Sequence, residues 1–141
     1  MLAMIRRIFL ILVDSRALTP GVLPTSADTV AAAALTLTAA AAWTWGVWVE
    51  FIAAAANTVD RQITGLTLEN FVGAASQGEV QIGTGAGGAE VVEGTWSVVS
   101  HYYTLPNPIR IPPATRIACR YRTSTGVADT VDAKLLTQTG F

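Results

Sequence analysis

The stretch of residues 29–49 contains no charged side chain, and it constrains the fold more than any other part of this sequence. Its length raises the question of a membrane helix, which needs about 20 apolar residues. Apolar residues, however, recur here at every second position, a spacing typical of strands that bury one face. The sequence therefore predicts the start of an all-β domain and no membrane span. The apolar positions are Leu35, Leu37, Ala39, Ala41, Trp43, Trp45, Val47, Val49, Phe51 and Ala53.

Composition indicates a single domain that meets another protein. The 141 residues suit one domain with a sizeable core. Charged residues make up 13% of the chain, about half the usual share of roughly 25%. This deficit favours a surface covered by a partner protein, although the alanine content also dilutes the charged residues. A formal net charge of −1 gives no electrostatic reason to expect nucleic acid or an anionic membrane as a partner.

The residues that most often perform chemistry are scarce. Cys119 is the only cysteine, which excludes an intrachain disulfide and a cysteine metal cluster, and we expect it in the core. His101 is the only histidine, and we expect a packed or hydrogen-bonded strand residue. No spacing of serine, histidine and aspartate suggests a nucleophile. We therefore expect no enzyme activity, no catalytic residue, no cofactor and no metal.

The first 28 residues differ from the rest and are predicted to form an extended N-terminal arm. Arg6 and Arg7 precede an apolar run at residues 8–13, which has six residues, whereas a secretory signal usually needs about 7–15. Pro20 and Pro24 then break regular structure. We expect an arm at residues 1–28 and a β-domain at residues 29–141.

From residue 29 onward, short apolar segments alternate with glycine and proline. This pattern predicts a sandwich or barrel, and eight strands would suit a jelly roll. Alanine-rich runs at 31–34, 39–42 and 53–56 leave a short helix possible at one of them. The predicted strands are 31–38, 42–53, 61–72, 78–83, 89–99, 101–105, 108–122 with a possible interruption, and 129–136.

Residues 115–122 form the clearest predicted strand, with a basic face and an apolar face. Arg110 repeats the pattern nearby. The basic row is either a solvated face or a docking face for a carboxylate-rich partner, since guanidinium pairs well with carboxylates. Because the row is short and has no stacking platform, we expect no nucleic acid. The basic face carries Arg116, Arg120 and Arg122, and the apolar face carries Ile117, Cys119 and Tyr121.

A glycine-rich segment at residues 83–88 formally contains the spacing G-x-G-x-x-G. The dinucleotide motif also needs a helix directly after it. The following residues predict a strand, so a hairpin loop is the favoured interpretation. The acidic residues are scattered, which gives no calcium loop, although two carboxylates from distant strands could still form a glycosidase pair.

The tryptophans divide into two groups by their alternation. Trp43 and Trp45 fall on the same alternate positions as the apolar residues of 35–53 and are predicted to lie in the core, whereas Trp48 falls between these positions. We expect Trp48 at an edge or interface, where tryptophan is enriched. The alternative is a sugar-stacking platform that includes Trp48 and Tyr102.

Several short segments resemble the capsid cementing (decoration) proteins of tailed bacteriophages. The segments are residues 48–53 (WVEFIA), 80–85 (VQIGTG) followed by 88–90 (GAE), 108–112 (PIRIP) and 115–118 (TRIA). The resemblance covers about residues 30–136. It implies a jelly-roll domain that binds the outside of a capsid and ties neighbouring major capsid subunits together. It implies no catalytic residues.

The expected function is thus that of a non-enzymatic virion structural protein on the capsid exterior. Its expected partners are the major capsid protein and other copies of itself, with a dimer favoured. A carbohydrate- or receptor-binding module of a phage tail or fibre is the main alternative, and a glycan hydrolase is a third. The candidate interface residues are Ile8, Phe9, Trp48, Arg110, Arg116, Arg120 and Arg122.

Overall fold

The computed structural model describes residues 18–24, 34–73, 77–98, 101–126 and 128–140. These residues form nine β-strands and one short 3₁₀ helix at Ala54–Ala56. The all-β prediction is therefore confirmed. The strands are β1 (Thr19–Leu23), β2 (Leu35–Thr38), β3 (Val49–Ile52), β4 (Arg61–Val72), β5 (Gly78–Thr84), β6 (Val91–Val98), β7 (Tyr102–Ile111), β8 (Ile117–Thr123) and β9 (Thr130–Thr139).

The strands form two antiparallel sheets that pack face to face as a sandwich. Sheet A has five strands in the order β1-β9-β4-β7, and β2 also pairs with β9. Sheet B has four strands in the order β3-β8-β5-β6. Strands β1 and β2 follow one another along the same edge of β9, because β1 pairs with residues 135–139 and β2 with residues 130–133.

Period-two alternation places the core between the two sheets. In β9, Val131, Ala133 and Leu135 are fully buried, whereas Asp132 and Lys134 between them are only partly buried. Each fully buried leucine or isoleucine contributes roughly 1.5–3 kcal/mol through burial. The largest apolar side chains that are fully buried are Leu23, Leu37, Ile63, Leu66, Leu68, Val80, Ile82, Ile111, Ile117, Val131 and Leu135.

The predicted strand at residues 42–53 is wrong over most of its length, because only Val49–Ile52 is strand. The preceding residues form a loop from β2 to β3 that passes beside β8. The Trp43 N–H donates to the Thr123 carbonyl at 2.7 Å, and the Gly46 N–H donates to the Tyr121 carbonyl at 2.9 Å. Trp43 also has a φ of 55°, which interrupts any extended backbone. Trp43 and Trp45 therefore do not belong to the core.

The break predicted between strands 101–105 and 108–122 lies inside β7 instead. Pro106 and Pro108 are tolerated because β7 is an edge strand, which pairs only with β4. The ladder is also interrupted there, since Ile63 pairs with Ile109 whereas Gly65 pairs with Thr104. Strand β7 ends at Ile111, and β8 begins at Ile117.

Part of the predicted arm is a strand of the sandwich. Residues Thr19–Leu23 form β1 and pair with β9 over five positions. Ile8 and Phe9, predicted as interface residues of the arm, lie outside the described residues. The alanine run at 53–56 contains the 3₁₀ helix. Across the described residues, no helix is long and apolar enough to cross a membrane.

Candidate functional site

The arginine row predicted from the sequence lies on the outer face of sheet B. Three apolar residues of β8 are buried in the core, while the arginines on the opposite face are half-buried. The predicted division of this strand into a core face and a basic face is thus confirmed. The core face carries Ile117, Cys119 and Tyr121.

Strand β5 places a matching polar row beside the arginines. In the antiparallel register, Glu79 lies opposite Arg122 and Gln81 lies opposite Arg120. The Arg122 Nη2 atom is 2.5 Å from the Glu79 Oε2 atom, and Arg122 Nε donates to the same oxygen at 2.7 Å. Arg120 Nε donates to the Gln81 Oε1 atom at 2.7 Å. Both guanidiniums are therefore fixed by the neighbouring strand.

Three tryptophans from the β2–β3 loop interleave with these two arginines. Arg122 lies 5.5 Å from the ring centroid of Trp43 and 4.4 Å from that of Trp45. Arg120 lies 5.1 Å from the centroid of Trp45 and 4.3 Å from that of Trp48. These distances lie within the range of cation–π contacts. We call the series Trp43, Arg122, Trp45, Arg120 and Trp48 the tryptophan–arginine ladder.

Trp48 lies directly over a glycine of β5. A Cβ atom built on Gly83 would lie 2.7 Å from the Trp48 Cη2 atom, closer than real Cβ contacts. Gly83 therefore leaves the space that the indole fills. Trp48 is half-buried on this outer face.

Arg116, at the other end of the arginine row, is bound by two carboxylates. Its Nε donates to Glu50 Oε2 at 2.6 Å, and its Nη1 donates to Glu90 Oε1 at 2.9 Å. Burial alone would lower the pKa of Arg116, but the hydrogen bonds with Glu50 and Glu90 raise it. Burial would raise the pKa of Glu90, but its backbone hydrogen bonds and Arg116 lower it. A general acid of a glycosidase needs the opposite shift, a raised pKa.

Arg120 has a different electrostatic environment from its two neighbours. Its pKa is lowered, mainly by burial and further by the nearby charge of Arg122, although Glu90 acts in the opposite direction. No ion pair of Arg120 occurs within the described part of the chain. Counted by formal charge, the three arginines of the row face Glu50, Glu79 and Glu90. The face is therefore close to neutral.

A small cleft opens beside the first tryptophan of the ladder. It has a volume of about 210 Å³ and is lined by Trp43, Gln77, Gly78, Glu79 and Ser97. The Trp43 side chain is 45% exposed, whereas Trp45 and Trp48 are half-buried. Its left-handed backbone is held by the Arg122 Nη1 donor, which lies 3.3 Å from the Trp43 carbonyl oxygen. The loop thus holds this indole at the surface.

Other predicted interface residues do not join this face. Arg110 lies in β7 of sheet A and forms an exposed ion pair of 3.1 Å with Asp60. Tyr102 also belongs to β7, so Trp48 and Tyr102 lie in different sheets. The structure therefore brings together Trp48, Arg116, Arg120 and Arg122 and places Arg110 elsewhere.

The groups expected to be chemically inert have structural roles. Cys119 is buried, and burial raises the pKa of its thiol far above the ordinary value. The Nδ1 atom of His101 lies 3.0 Å from the Leu68 carbonyl oxygen. The glycine segment joins the antiparallel strands β5 and β6, as the hairpin prediction requires. Within the described ranges, no group of three histidine, cysteine or acidic side chains is placed to hold a metal ion.

Sequence reasoning missed the tryptophans and carboxylates that complete the site. Trp43 and Trp45 are predicted in the core because they continue the every-second-residue spacing of Leu37 and Ala39. The β2–β3 loop is not a strand, so that spacing no longer determines which side chains face the core. Glu79 and Gln81 have the same spacing of two as the arginines that they bind, which is a signal present in the sequence. Which of these two residues lies opposite which arginine depends on the pairing of β5 with β8. Local sequence patterns do not give that pairing.

Comparisons with known proteins identify no relative. A scan of protein-family models, a search of curated proteins and a search of solved structures each return no match.

Proposed function

We propose that this chain is a non-enzymatic structural protein of a virion, which binds the outside of a phage capsid and cements neighbouring major capsid subunits. The proposal includes self-association, with a dimer favoured. The tryptophan–arginine ladder carries the proposal. It is the broad surface that docks on the shell, and the proposal assigns no catalytic role to it.

Residue type and rigidity both favour a docking role for the ladder. Tryptophan and arginine are enriched at protein interfaces and dominate their binding energy. The guanidiniums of Arg120 and Arg122 each contact two indoles and are hydrogen-bonded by a side chain of β5. A surface that is already ordered loses little side-chain entropy on binding. The ion pairs of Arg116 and Arg122 also limit the desolvation cost of covering those two charges.

The order of the strands supports a jelly-roll topology for this sandwich. We count β1 and β2 as two parts of one first strand, because both pair with β9 along one edge. The eight strands then follow the orders 1-8-3-6 and 2-7-4-5 in the two sheets. Those orders support the proposal of a jelly roll, which is built of two Greek keys. Such a domain presents two broad outer faces, of which one can dock while the other stays in solvent.

The experiment that tests the function is co-sedimentation of the purified protein with undecorated phage capsids. We expect saturable binding with a fixed stoichiometry. A Trp45→Ala variant removes the indole that contacts both Arg120 and Arg122. We expect it to weaken binding by at least about tenfold, as truncation of a central aromatic anchor does.

The matched control is Tyr102→Ala, which removes a 59% exposed aromatic ring from sheet A. Both variants are checked for folding by circular dichroism and thermal unfolding. Equal affinity of wild type and Trp45→Ala would exclude the ladder as the docking surface. A folded wild type that does not bind capsids at all would reject the cementing function.

The cleft beside Trp43 favours one second candidate function, carbohydrate binding by a tail or fibre module. A bulky residue with positive φ is a strained conformation of the kind that clusters at functional sites. The residues that line the cleft include a tryptophan, Trp43, and three polar residues, Glu79, Ser97 and Gln77. The charge of Glu79 is balanced by Arg122. This chemistry suits a neutral sugar ring, which stacks through its C–H face and hydrogen-bonds through its hydroxyls.

The sugar-binding candidate is tested by titrating a panel of neutral oligosaccharides and measuring tryptophan fluorescence and heat of binding. A saturable signal that is lost in Trp43→Ala and retained in Tyr102→Ala would support it. The absence of any signal with wild-type protein would reject it and leave the cementing function as the remaining proposal.

A further inference from the structure

We propose that Arg120 is the point on the ladder that receives a carboxylate from the partner protein. The inference rests on the proposed docking function, and it names the chemistry that the partner must supply. The partner places the side chain of an aspartate or glutamate against this guanidinium when the face is covered.

Arg120 has donors that no described residue uses. Its hydrogen bond to Gln81 occupies Nε and leaves the N–H groups of Nη1 and Nη2. In the described part of the chain, Thr67 Oγ1 is the one fully buried side-chain polar atom without a hydrogen-bond partner. No nitrogen of Arg120 is therefore both fully buried and unpaired. The Nη atoms of Arg120, which have no hydrogen bond to a described residue, are therefore not fully enclosed and keep some contact with solvent.

The neighbouring arginines show what Arg120 lacks. Arg122 is paired with Glu79, and Arg116 is paired with both Glu50 and Glu90. The position opposite Arg120 on β5 is instead the neutral Gln81. Gln81 offers a carbonyl oxygen to Nε but no compensating charge. The one cation of the row that has no ion pair in the described residues is thus the central one.

The surroundings of Arg120 prepare it for a planar, bidentate ligand. The centroids of the Trp45 and Trp48 rings lie 5.1 and 4.3 Å from the Arg120 Cζ atom, and contact with two rings restricts rotation of the guanidinium. Partial burial between these rings weakens hydration and strengthens an added ion pair relative to one in open solvent. Two parallel N–H groups of a fixed guanidinium match the two oxygens of a carboxylate. Covering the ladder without such a group would desolvate the guanidinium of Arg120 while it has no direct ion-pair partner among the described residues.

The test compares capsid binding by wild type, Arg120→Lys and the control Arg110→Lys. Lysine keeps the charge but loses the planar fork. We expect Arg120→Lys to weaken binding by about tenfold or more, as for other anchor residues. Arg110→Lys, whose parent residue pairs with Asp60 on sheet A, should stay within about twofold. Wild-type binding combined with unchanged affinity of a folded Arg120→Lys would overturn the inference and leave the docking function standing.

A second measurement separates this inference from the cementing function. Acetate is titrated into the protein alone, and the side-chain nitrogen signals of its arginines are followed by NMR, with chloride at equal ionic strength as control. We expect a saturable shift of the Arg120 signals that exceeds those of Arg116 and Arg122. If capsids bind no wild-type protein but this shift occurs, the cementing function fails and the carboxylate site stands. If Arg120 shifts no more than its neighbours, the carboxylate site is rejected.

Discussion

The outer faces of the two sheets present different surfaces to a partner. On sheet A, short polar side chains bind one another: Asp132 accepts hydrogen bonds from Thr36 at 2.5 Å and from Asn70 at 2.9 Å. On sheet B, the ladder alternates indoles and guanidiniums across β8 and the β2–β3 loop. Apart from the exposed ring of Tyr102, this part of the first face resembles ordinary solvated sheet surface, whereas the second has the composition of an interface.

The difference comes from the loops more than from the strands. The polar outward residues of β8 and β5 are arginine, glutamate and glutamine, which alone would give a solvated charged face. The β2–β3 loop lies against β8 and adds its three tryptophans to that face. An extended polar face becomes an ordered aromatic surface only because this loop is held in place. Variants that disturb the loop should therefore disrupt the aromatic surface on sheet B.

The largest effect is expected from Gly46→Ala, which breaks the loop itself. A Cβ atom at Gly46 would lie 1.8 Å from the Thr38 carbonyl oxygen, a backbone atom that cannot turn aside. We expect the free energy of unfolding to fall by more than about 3 kcal/mol, as for severe overpacking. Urea titration followed by circular dichroism measures the loss.

Gly87→Ala is the matched control for this change. Gly87 lies in the β5–β6 loop, and a Cβ atom there would meet nothing within 4 Å. We expect its free energy of unfolding to stay within about 0.5 kcal/mol of wild type. Equal effects of the two substitutions would show that the β2–β3 loop is not tightly held, which would remove the basis of the comparison between the faces.

An intermediate effect is expected from removing one charge of the ion pair that anchors the ladder. In Glu79→Gln, Arg122 loses a partner at 2.5 Å, and both side chains are largely buried, with exposures of 22% and 28%. We expect a loss of about 1–2 kcal/mol, because a desolvated charge loses its hydrogen-bonded counter-charge. Thermal and urea unfolding would measure it.

Glu69→Gln makes the same change on sheet A. Glu69 is 49% exposed, and its Oε1 atom lies 3.3 Å from Lys134 Nζ. We therefore expect Glu69→Gln to lower the free energy of unfolding by at most about 0.5 kcal/mol. The ratio of the two effects measures how much more strongly sheet B depends on its charges. Equal losses in both variants would mean that the ladder adds nothing to the strength of its ion pair.

The same contrast explains how far the sequence predicts this molecule. Alternation correctly placed β4 at residues 61–72 and divided β8 into its two faces, because both features depend on local period. It failed at Trp43 and Trp45, where apolar parity continued through a loop whose hydrogen bonds go to distant β8. It also missed β1, since proline and glycine in Thr19–Leu23 signal a break, although an edge strand tolerates them.

The candidate site was predicted only in part for a related reason. The arginine row is local and was found, but its isolation from Arg110 follows from strand order, which puts β7 and β8 in different sheets. The partners of the row come from the β2–β3 loop, β3, β5 and the β5–β6 loop. These segments come together through strand pairings between residues far apart in sequence. The spacing of residues within one strand does not show which residue of a distant strand lies opposite.

The smallest effect we predict is a difference in how the two faces respond to acid and salt. The folded-state pKa of Glu90 is lowered from 4.5 and that of Asp132 from 3.8. Each carboxylate therefore contributes stability that is present above its unfolded pKa and is lost as the pH falls through its folded pKa. Glu90→Gln and Asp132→Asn should both be less stable than wild type near pH 7, and each difference should shrink below about pH 4.

Salt should separate these two carboxylates. The cation Arg116 contributes to the lowered pKa of Glu90, whereas hydrogen bonds from the neutral Thr36 and Asn70 are the main cause of the lowered pKa of Asp132. About 1 M salt shortens the screening length to about 3 Å. We therefore expect added NaCl to reduce the stability difference of Glu90→Gln and to leave that of Asp132→Asn nearly unchanged, measured by urea unfolding at pH 7. Equal salt dependence of the two variants would mean that charge pairing does not distinguish the ladder face from the polar face of sheet A.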